Sequence, residues 1–224
     1  MSRAIVDSKI AQEVAKIFLK IKAVTFRFDP PYTYTTGLKS PIYLDNRLII
    51  SYPEIRNKII NYYLDIINSS IGPAKIDYIS ATATAAIPQG TLIADRLNLP
   101  MVYVRPTTKA YGKGGKVEGY LKKGSRVLVI EDQISTGNSA VNNAQSLREL
   151  GAEVEYCITT TTYEISKALE LLAKNKIKLY SLTTGRIIVD TAFKKRHLSQ
   201  KEKEMVDLWF ENPILWEEKW QKLI

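Results

Sequence analysis

The sequence predicts an α/β fold with a mostly parallel central sheet flanked by helices. Two observations lead to this prediction. Short apolar runs that are typical of buried strands alternate with amphipathic helical segments along most of the 224 residues, which is the pattern of strands joined by crossover helices. In addition, residues 127–140, VLVIEDQISTGNSA, have the pattern of a buried strand, a small polar loop and the start of a helix. Helices are therefore expected on both faces of the sheet.

The N-terminal part is expected to contain two helices with a turn-rich segment between them. Apolar residues recur at helical spacing over residues 8–21, which predicts an amphipathic helix. Residues 28–47 are rich in Pro, Thr and Tyr and end in an expected strand. Pro53 stands where a helix can begin, and apolar positions continue that helix toward Gly72.

The central sheet is expected to come from the middle of the chain. Strands are predicted at residues 78–80, 101–105, 127–130, 153–160 and 178–182, with helices between most of them. The helix after the third of these strands should stop at Gly151, and a capping box at Ser199 and Glu202 should open a C-terminal helix. No repeat or linker interrupts the chain, so we expect one domain over residues 1–224, with a hood at about 1–50, a core at about 51–190 and a helical tail at about 191–224.

The composition is that of an ordinary soluble protein. Hydrophobic residues make up 45% and charged residues 25% of the chain, which is close to the average for globular domains. No apolar run approaches the roughly 20 residues that span a bilayer, and the first residues lack a signal-peptide core. Cys157 is the single cysteine, so neither a disulfide framework nor a zinc site is expected. We therefore expect a cytoplasmic protein without a membrane partner.

The net charge of +9 has two interpretations. Basic proteins often bind nucleic acid, but the positive residues do not form one stripe along a helix. Several cluster at residues 105–126, next to residues 127–140, where a small polyanionic substrate would also require them. We favour the second interpretation and expect no nucleic-acid partner.

Residues 127–140 carry the clearest chemical signal. Four apolar residues precede Glu131 and Asp132, and small or hydroxylic residues follow at 135–139. The N–H groups and dipole of a helix start favour an anion. No lysine lies between Glu131 and Arg148, which excludes a nucleotide-triphosphate loop with Gly-Lys-Ser/Thr at the helix start. Two adjacent carboxylates at a strand end can accept hydrogen bonds from a vicinal diol, so the segment predicts a site for a ribose 5-phosphate.

This segment resembles the phosphoribosyl-diphosphate (PRPP) signature of type I phosphoribosyltransferases, which is a hydrophobic strand, an acid pair, two residues and Ser/Thr-Thr-Gly-x-Ser. Three more segments are similar to orotate phosphoribosyltransferases. GLKSPIYLDNR at residues 37–47 resembles their hood, residues 81–105 their diphosphate-contacting loop with the following helix and strand, and RPTTKAYGKGGKVEG at residues 105–119 their mobile catalytic loop, here called the lid. LWFENPILW in the tail is similar to the Trp-rich ending of one bacterial branch.

The resemblance implies the type I phosphoribosyltransferase fold, with a small N-terminal hood and a helical C-terminal tail. It implies transfer of the 5-phosphoribosyl group from PRPP to orotate, giving orotidine 5′-monophosphate and diphosphate in de novo UMP (pyrimidine) biosynthesis. Mg²⁺ would be bound mainly through PRPP, without a metal site of the protein's own. The active enzyme would be a homodimer in which the lid closes over the neighbouring subunit's site.

The resemblance also assigns roles to residues. Lys109, Asp132 and Glu131 are the implied catalytic residues, and Ser135 is the implied orotate contact. We expect backbone N–H groups of residues 36–40 in the hood, with Lys39 or Arg47 nearby, to supply the remaining donors to orotate. The implied PRPP-binding set is Arg105, Lys109, Tyr111, Glu131, Asp132, Gln133, Ile134, Ser135, Thr136, Gly137, Asn138 and Ser139.

Three positions depart from the family pattern. Thr35 stands where many members have a lysine, and Pro106 follows Arg105 where many have Arg-Lys. Tyr163 lies where an arginine often reads the orotate carboxylate, although the branch with the Trp-rich tail looks similar there. A purine or other-base phosphoribosyltransferase is therefore an alternative. A non-catalytic PRPP-sensing regulator is a third possibility, against which the lid lysine Lys109 argues.

Overall fold

The computed structural model describes residues 4–34, 37–106 and 115–221. Within these ranges the elements are, in chain order, α1 (Ser8–Lys20), β1 (Val24–Phe26), β2 (Tyr32–Thr33), β3 (Lys39–Ser40), β4 (Ile42–Leu44), a 3-10 turn (Asn46–Ser51), α2 (Pro53–Ile66), β5 (Tyr78–Thr82), α3 (Ile87–Leu97), β6 (Met101–Val104), β7 (Val117–Glu118), β8 (Arg126–Ile134), α4 (Asn138–Glu149), β9 (Glu153–Thr162), α5 (Ser166–Lys174), β10 (Lys178–Thr184), α6 (Gly185–Lys194), α7 (Gln200–Glu211) and α8 (Pro213–Gln221).

The central sheet has the strand order β10-β9-β8-β5-β6-β7. Strand β7 runs antiparallel to β6, and the other neighbouring strands run parallel. Successive side chains of a strand point to opposite faces. On β8, Leu128 and Ile130 accordingly pack with residues of α1, α2, α3 and α6, whereas Val127 and Val129 pack with residues of α4 and α5. The predicted α/β fold with helices on both faces of a mostly parallel sheet is confirmed.

The strand order changes direction between β5 and β8. Strand β6 lies on one side of β5, and the chain later crosses over to place β8 on the other side of β5. The ladder between β5 and β8 ends at Ala81 and Ile130, whereas the ladder between β8 and β9 continues to Ile134 and Thr162. Open α/β sheets bind ligands beyond the carboxyl ends of their strands at such a switch point. The topology therefore locates the candidate site beyond Ala81 and Ile130.

Strand β8 is longer than the sequence pattern predicted. The four apolar residues 127–130 were expected to end the strand, but β8 continues through Glu131 and Asp132 to Ile134. This expectation was wrong because pairing with β9 extends the strand beyond its apolar part. The two acids consequently lie inside a strand, not after its end.

The hood and the tail lie outside the central sheet. Two short antiparallel pairs, β1 with β4 and β2 with β3, form the hood. The predicted capping box at the start of α7 is confirmed, because Ser199 Oγ accepts from the Glu202 N–H at 3.3 Å and the Glu202 carboxylate accepts from the Ser199 N–H at 2.8 Å. None of the described helices combines the length and apolar character that crossing a membrane requires.

The start of α6 is packed tightly against the tail. A Cβ added to Gly185 would lie 2.7 Å from Phe210 Cζ and 3.1 Å from Tyr163 Cδ1. Gly185→Ala therefore forces the Phe210 ring to move, and we expect the free energy of unfolding to fall by about 1–3 kcal/mol, the usual cost of overpacking. Urea denaturation would measure this change. The same substitution should cost less in a Phe210→Leu background, which removes the ring, and an equal cost in both backgrounds would contradict the packing.

Candidate active site

Glu131 and Asp132 are not equivalent, although they are adjacent in the sequence. Side chains alternate along β8, so the two carboxylates leave the strand on opposite sides. The Glu131 side chain is 3% exposed and hydrogen-bonds Thr82, whose Oγ1 also accepts from Asn143 of α4 at 2.9 Å. Asp132 instead lines a cleft below the hood. The expectation of two carboxylates side by side at a strand end is replaced by one buried and one accessible acid.

Burial dominates the electrostatics of the pair. It raises the pKa of Glu131 to about 8, and the neighbouring charge of Asp132 acts in the same direction. Burial also raises the pKa of Asp132. Glu131 Oε1 is buried without a hydrogen-bond partner among the described residues. Glu131 is therefore mostly protonated at neutral pH until a ligand brings a donor or a positive charge to it.

Tyr63 of α2 holds the backbone of Glu131. Its hydroxyl donates to the Glu131 carbonyl at 3.1 Å and shares a hydrogen bond of 2.7 Å with Thr160 Oγ1 on β9. Tyr63 and Thr160 are both fully buried, where such hydrogen bonds are strong and costly to lose. This contact fixes the position of the acid pair relative to α2 and β9.

Asn46 holds the backbone of the next residue, Asp132, in the same way. Its Nδ2 donates to the Asp132 carbonyl at 2.5 Å and to Thr161 Oγ1 at 2.9 Å. The sequence did not identify Asn46, Tyr63 or the threonines as site residues. One signal was present, because four consecutive threonines, two at the end of the predicted strand 153–160 and two directly after it, require hydrogen-bond partners where they are buried. Their partners could not be read from the sequence.

The loop after β8 has the geometry of an anion site. Gly137 has φ +79° and a Cβ there would lie 3.3 Å from the Ala168 carbonyl oxygen, so the turn requires glycine. Helix α4 begins directly afterwards at Asn138, and in the described part of the chain no side chain caps its first turn. The N–H groups at the start of α4 are therefore available to a phosphate.

The cleft has a volume of about 320 Å³ and lies between the hood, β8 and the tail. It is lined by Tyr34, Leu38, Tyr43, Leu44, Asp132, Gln133, Ser135, Thr136, Tyr163, Ile165 and Trp209. Asp132 is the one charged residue among these described lining residues. The hydroxyls of Tyr34 and Tyr163 are 2.9 Å apart, and burial raises the pKa of both phenols. The wall opposite β8 is therefore uncharged at neutral pH.

The structure brings most of the residues predicted from 131–139 to this site. Gln133, Ser135 and Thr136 line the cleft with Asp132, and the residues after them, Gly137, Asn138 and Ser139, form the start of α4. Ile134 is 2% exposed and packs into the core between the sheet and α4. Its side chain therefore contributes to the scaffold and not to the cleft wall.

The predicted cations that the structure describes do not line the cleft. Arg105 follows β6 and forms an ion pair of 3.0 Å with Glu118, at the base of the lid. Lys109 and Tyr111 lie outside the described residues. In the hood, Lys39 donates to Thr33 Oγ1 at 2.7 Å, and Arg47 pairs with Asp45 at 2.7 Å. The structure thus pairs Lys39 and Arg47 within the hood and does not place them in the cleft wall.

The buried acid makes stability depend on pH. Between pH 4.5 and about 8, Glu131 keeps its proton in the folded chain and loses it in the unfolded chain, so the free energy of unfolding falls as pH rises. Glu131→Gln removes this slope. We expect the variant to gain roughly 3–5 kcal/mol relative to wild type from pH 4.5 to pH 8, measured by urea denaturation at several pH values.

A matched control is Asp77→Asn. The hydrogen-bonded Arg126 lowers the pKa of the exposed Asp77 carboxyl to about 2, so Asp77 is ionised in both states across this range. Its variant should differ from wild type by a constant amount. Parallel stability curves for wild type and Glu131→Gln would contradict the burial of an ionisable Glu131.

Comparisons with known proteins agree with this geometry. No protein-family profile matches the chain. The chain is 42% identical over 207 residues to an orotate phosphoribosyltransferase of Coxiella burnetii, covering 92% of this chain and 98% of that relative. A solved orotate phosphoribosyltransferase from Aeropyrum pernix is similar with a TM-score of 0.72 and 28% identity, over 81% of this chain and 98% of that one.

A larger protein contains a similar unit. The solved UMP synthase of Leishmania donovani is similar with a TM-score of 0.75 and 25% identity, over 91% of this chain but 42% of that longer chain. Sequence identity to the bacterial relative over nearly the whole chain, together with the fold, settles the assignment. The chain belongs to the orotate phosphoribosyltransferase family.

Proposed function

We propose that this protein transfers the 5-phosphoribosyl group of PRPP to orotate, giving orotidine 5′-monophosphate and diphosphate in the de novo synthesis of UMP. The observation that carries this proposal is the combination, at one switch point of the sheet, of Asp132, the uncapped start of α4 and the cleft below the hood. The names of the relatives, orotate phosphoribosyltransferase and UMP synthase, support the same reaction.

The two ends of the cleft fit the two reactants. The start of α4, with Ser135 and Thr136, would hold the 5′-phosphate through N–H groups and hydroxyls. The part of the cleft between Tyr34, Tyr163 and Trp209 would take the planar base. Asp132 lines the same cleft, and its carboxylate would accept hydrogen bonds from the ribose hydroxyls. Ser135 also lines the cleft, and we keep it as the proposed orotate contact.

Catalysis would then rest on positioning and charge. A ring nitrogen of orotate displaces diphosphate at ribose C1, so positive charge grows on the ribose and negative charge on the departing diphosphate. The Asp132 carboxylate would stabilise the ribose cation by its charge, without forming a covalent bond to it. Asn46 and Tyr63 keep the acid pair in place through its backbone carbonyls.

Mg²⁺ is proposed to arrive with PRPP. Among the described residues, no group of three or more His, Cys, Asp or Glu side chains could hold a metal ion. Of the described residues that line the cleft, Asp132 is the one that offers a carboxylate, which would suit a cation held mainly by PRPP. Bound in this way, the ion would offset the charge of the diphosphate.

The lid and the dimer are proposals from the sequence. Lys109 and Tyr111 would contact the diphosphate from the lid, and Arg105 would assist at its base. In support, β6 and β7 carry the two ends of the lid to the same edge of the sheet as the cleft, where Arg105 and Glu118 pair. We further propose that each lid serves the site of the partner subunit in a homodimer, and that the protein is cytoplasmic.

The base is tested by measuring diphosphate release from PRPP with orotate, adenine, hypoxanthine, guanine and uracil offered separately. We expect the highest kcat/KM with orotate. Asp132→Asn keeps the shape of the side chain but removes its charge, and should lower turnover on the order of 10²-fold, as for other preorganised charge stabilisers. A purine as best base would refute the orotate assignment, and wild-type turnover in Asp132→Asn would refute the role of the acid.

The lid is tested by mixing two inactive variants. Lys109→Ala should lower kcat on the order of 10²-fold, because a stabilising charge on the leaving group is lost, while KM for orotate changes little. A heterodimer of Lys109→Ala and Asp132→Asn subunits should recover part of the activity, since one of its two sites combines an intact lid with an intact acid. Absence of recovery in a verified heterodimer would argue against a shared site.

A further inference from the structure

The C-terminal tail is joined to the hood by Trp209. This side chain of α7 is fully buried, and its indole Nε1–H donates to the carbonyl of Lys39 at 2.8 Å. Lys39 belongs to β3, which pairs with β2 through the register of Thr33 with Lys39. A hydrogen bond from the tail therefore holds the hairpin that forms one wall of the cleft.

The ring of Trp209 also contacts two tyrosines of the cleft. Its centroid lies 6.1 Å from that of Tyr34 and 5.2 Å from that of Tyr163, with interplanar angles of 86° and 83°. These are edge-to-face arrangements, which are favourable for aromatic pairs. Trp209, Tyr34 and Tyr163, the aromatic triad, thus connect the tail, the hood and the end of β9 in one place.

The hydroxyls of the triad are occupied within the protein. Tyr34 Oη donates to the carbonyl of Ile42 at 2.9 Å, and a phenol has one hydrogen to donate. The hydrogen between the two phenols, which are 2.9 Å apart, must then come from Tyr163. Both phenol hydrogens and the Trp209 N–H are therefore directed at protein atoms, so the triad shapes the wall of the cleft instead of donating to a ligand.

We propose that Trp209 is a positioning residue for the base: acting through Lys39, Tyr34 and Tyr163, it holds the hood and the aromatic wall at the distance from β8 that the base requires. The inference rests on the proposed function of the cleft. The sugar phosphate is held at the other end by α4 and Asp132. Loss of the Trp209 contacts should therefore weaken binding of the base and leave binding of PRPP nearly unchanged.

The test is Trp209→Phe in the full chain, which keeps an aromatic ring and removes the N–H. We expect KM for the base to rise about 3- to 10-fold, the ratio that corresponds to loss of one neutral hydrogen bond. KM for PRPP and kcat should stay within about twofold of wild type, as expected when binding of the base is weakened equally in the ground state and in the transition state.

The tail supplies a matched control. Trp216 of α8 is also fully buried, but its Nε1 has no hydrogen-bond partner among the described residues. Trp216→Phe removes the same atoms from the same tail and should leave both KM values unchanged. If it raises KM for the base as much as Trp209→Phe does, the effect is general loosening of the tail and the proposal fails.

A second variant covers the case in which Trp209→Phe does not fold. Tyr163→Phe breaks the link to Tyr34 while keeping the ring, and should also raise KM for the base more than KM for PRPP. Equal changes in both KM values, or no change, would overturn the role of the triad. If wild type prefers another base to orotate, the proposed function fails. The role of Trp209 is then decided by comparing the change in KM for that base with the change in KM for PRPP.

Discussion

Beyond Ile130, strand β8 is held by a ladder with β9, while its ladder with β5 has ended. This unequal pairing opens a crevice beside the residues from Glu131 to Ile134 without interrupting the strand. Side-chain alternation then sends Asp132 into the cleft and Glu131 into the interior. The anion loop follows at the start of α4, so the strand determines where each part of the site lies.

A strand that projects beyond one neighbour needs support from other residues, and buried polar side chains provide it here. Tyr63 and Asn46 donate hydrogen bonds to the backbone carbonyls of Glu131 and Asp132. Each of them also shares a hydrogen bond with a threonine of β9. The other two buried threonines of β9 are satisfied locally, with Thr159 Oγ1 donating to the Thr161 carbonyl and Thr162 Oγ1 accepting from the Glu164 N–H. Threonine combines the branched shape that suits a buried strand with a group that can bond the neighbouring elements.

The described walls of the cleft are uncharged except for Asp132, although the proposed reactants are anions. Hydrogen-bond donors without formal charge avoid much of the desolvation cost of a buried cation. The chain carries a net charge of +9, which can attract polyanions over longer distances. Charge would thus bring the reactants to the site, while shape and hydrogen bonds select the base. The aromatic wall depends on the tail, which gives the Trp-rich ending a role at the site.

The sequence by itself determined the fold class, the order of the core elements, the position of the loop before α4 and the capping box of α7. These features depend on periodicity, turn chemistry and cap residues, which act over a few neighbouring residues. The end of β8, the inequality of Glu131 and Asp132, and the supporting roles of Asn46, Tyr63 and Trp209 were decided only by the tertiary structure. Their partners are far away in the chain: Trp209 and Lys39 are 170 residues apart, and Tyr163 and Tyr34 are 129 apart. Contacts at such separations follow from how the elements pack, and no local pattern encodes them.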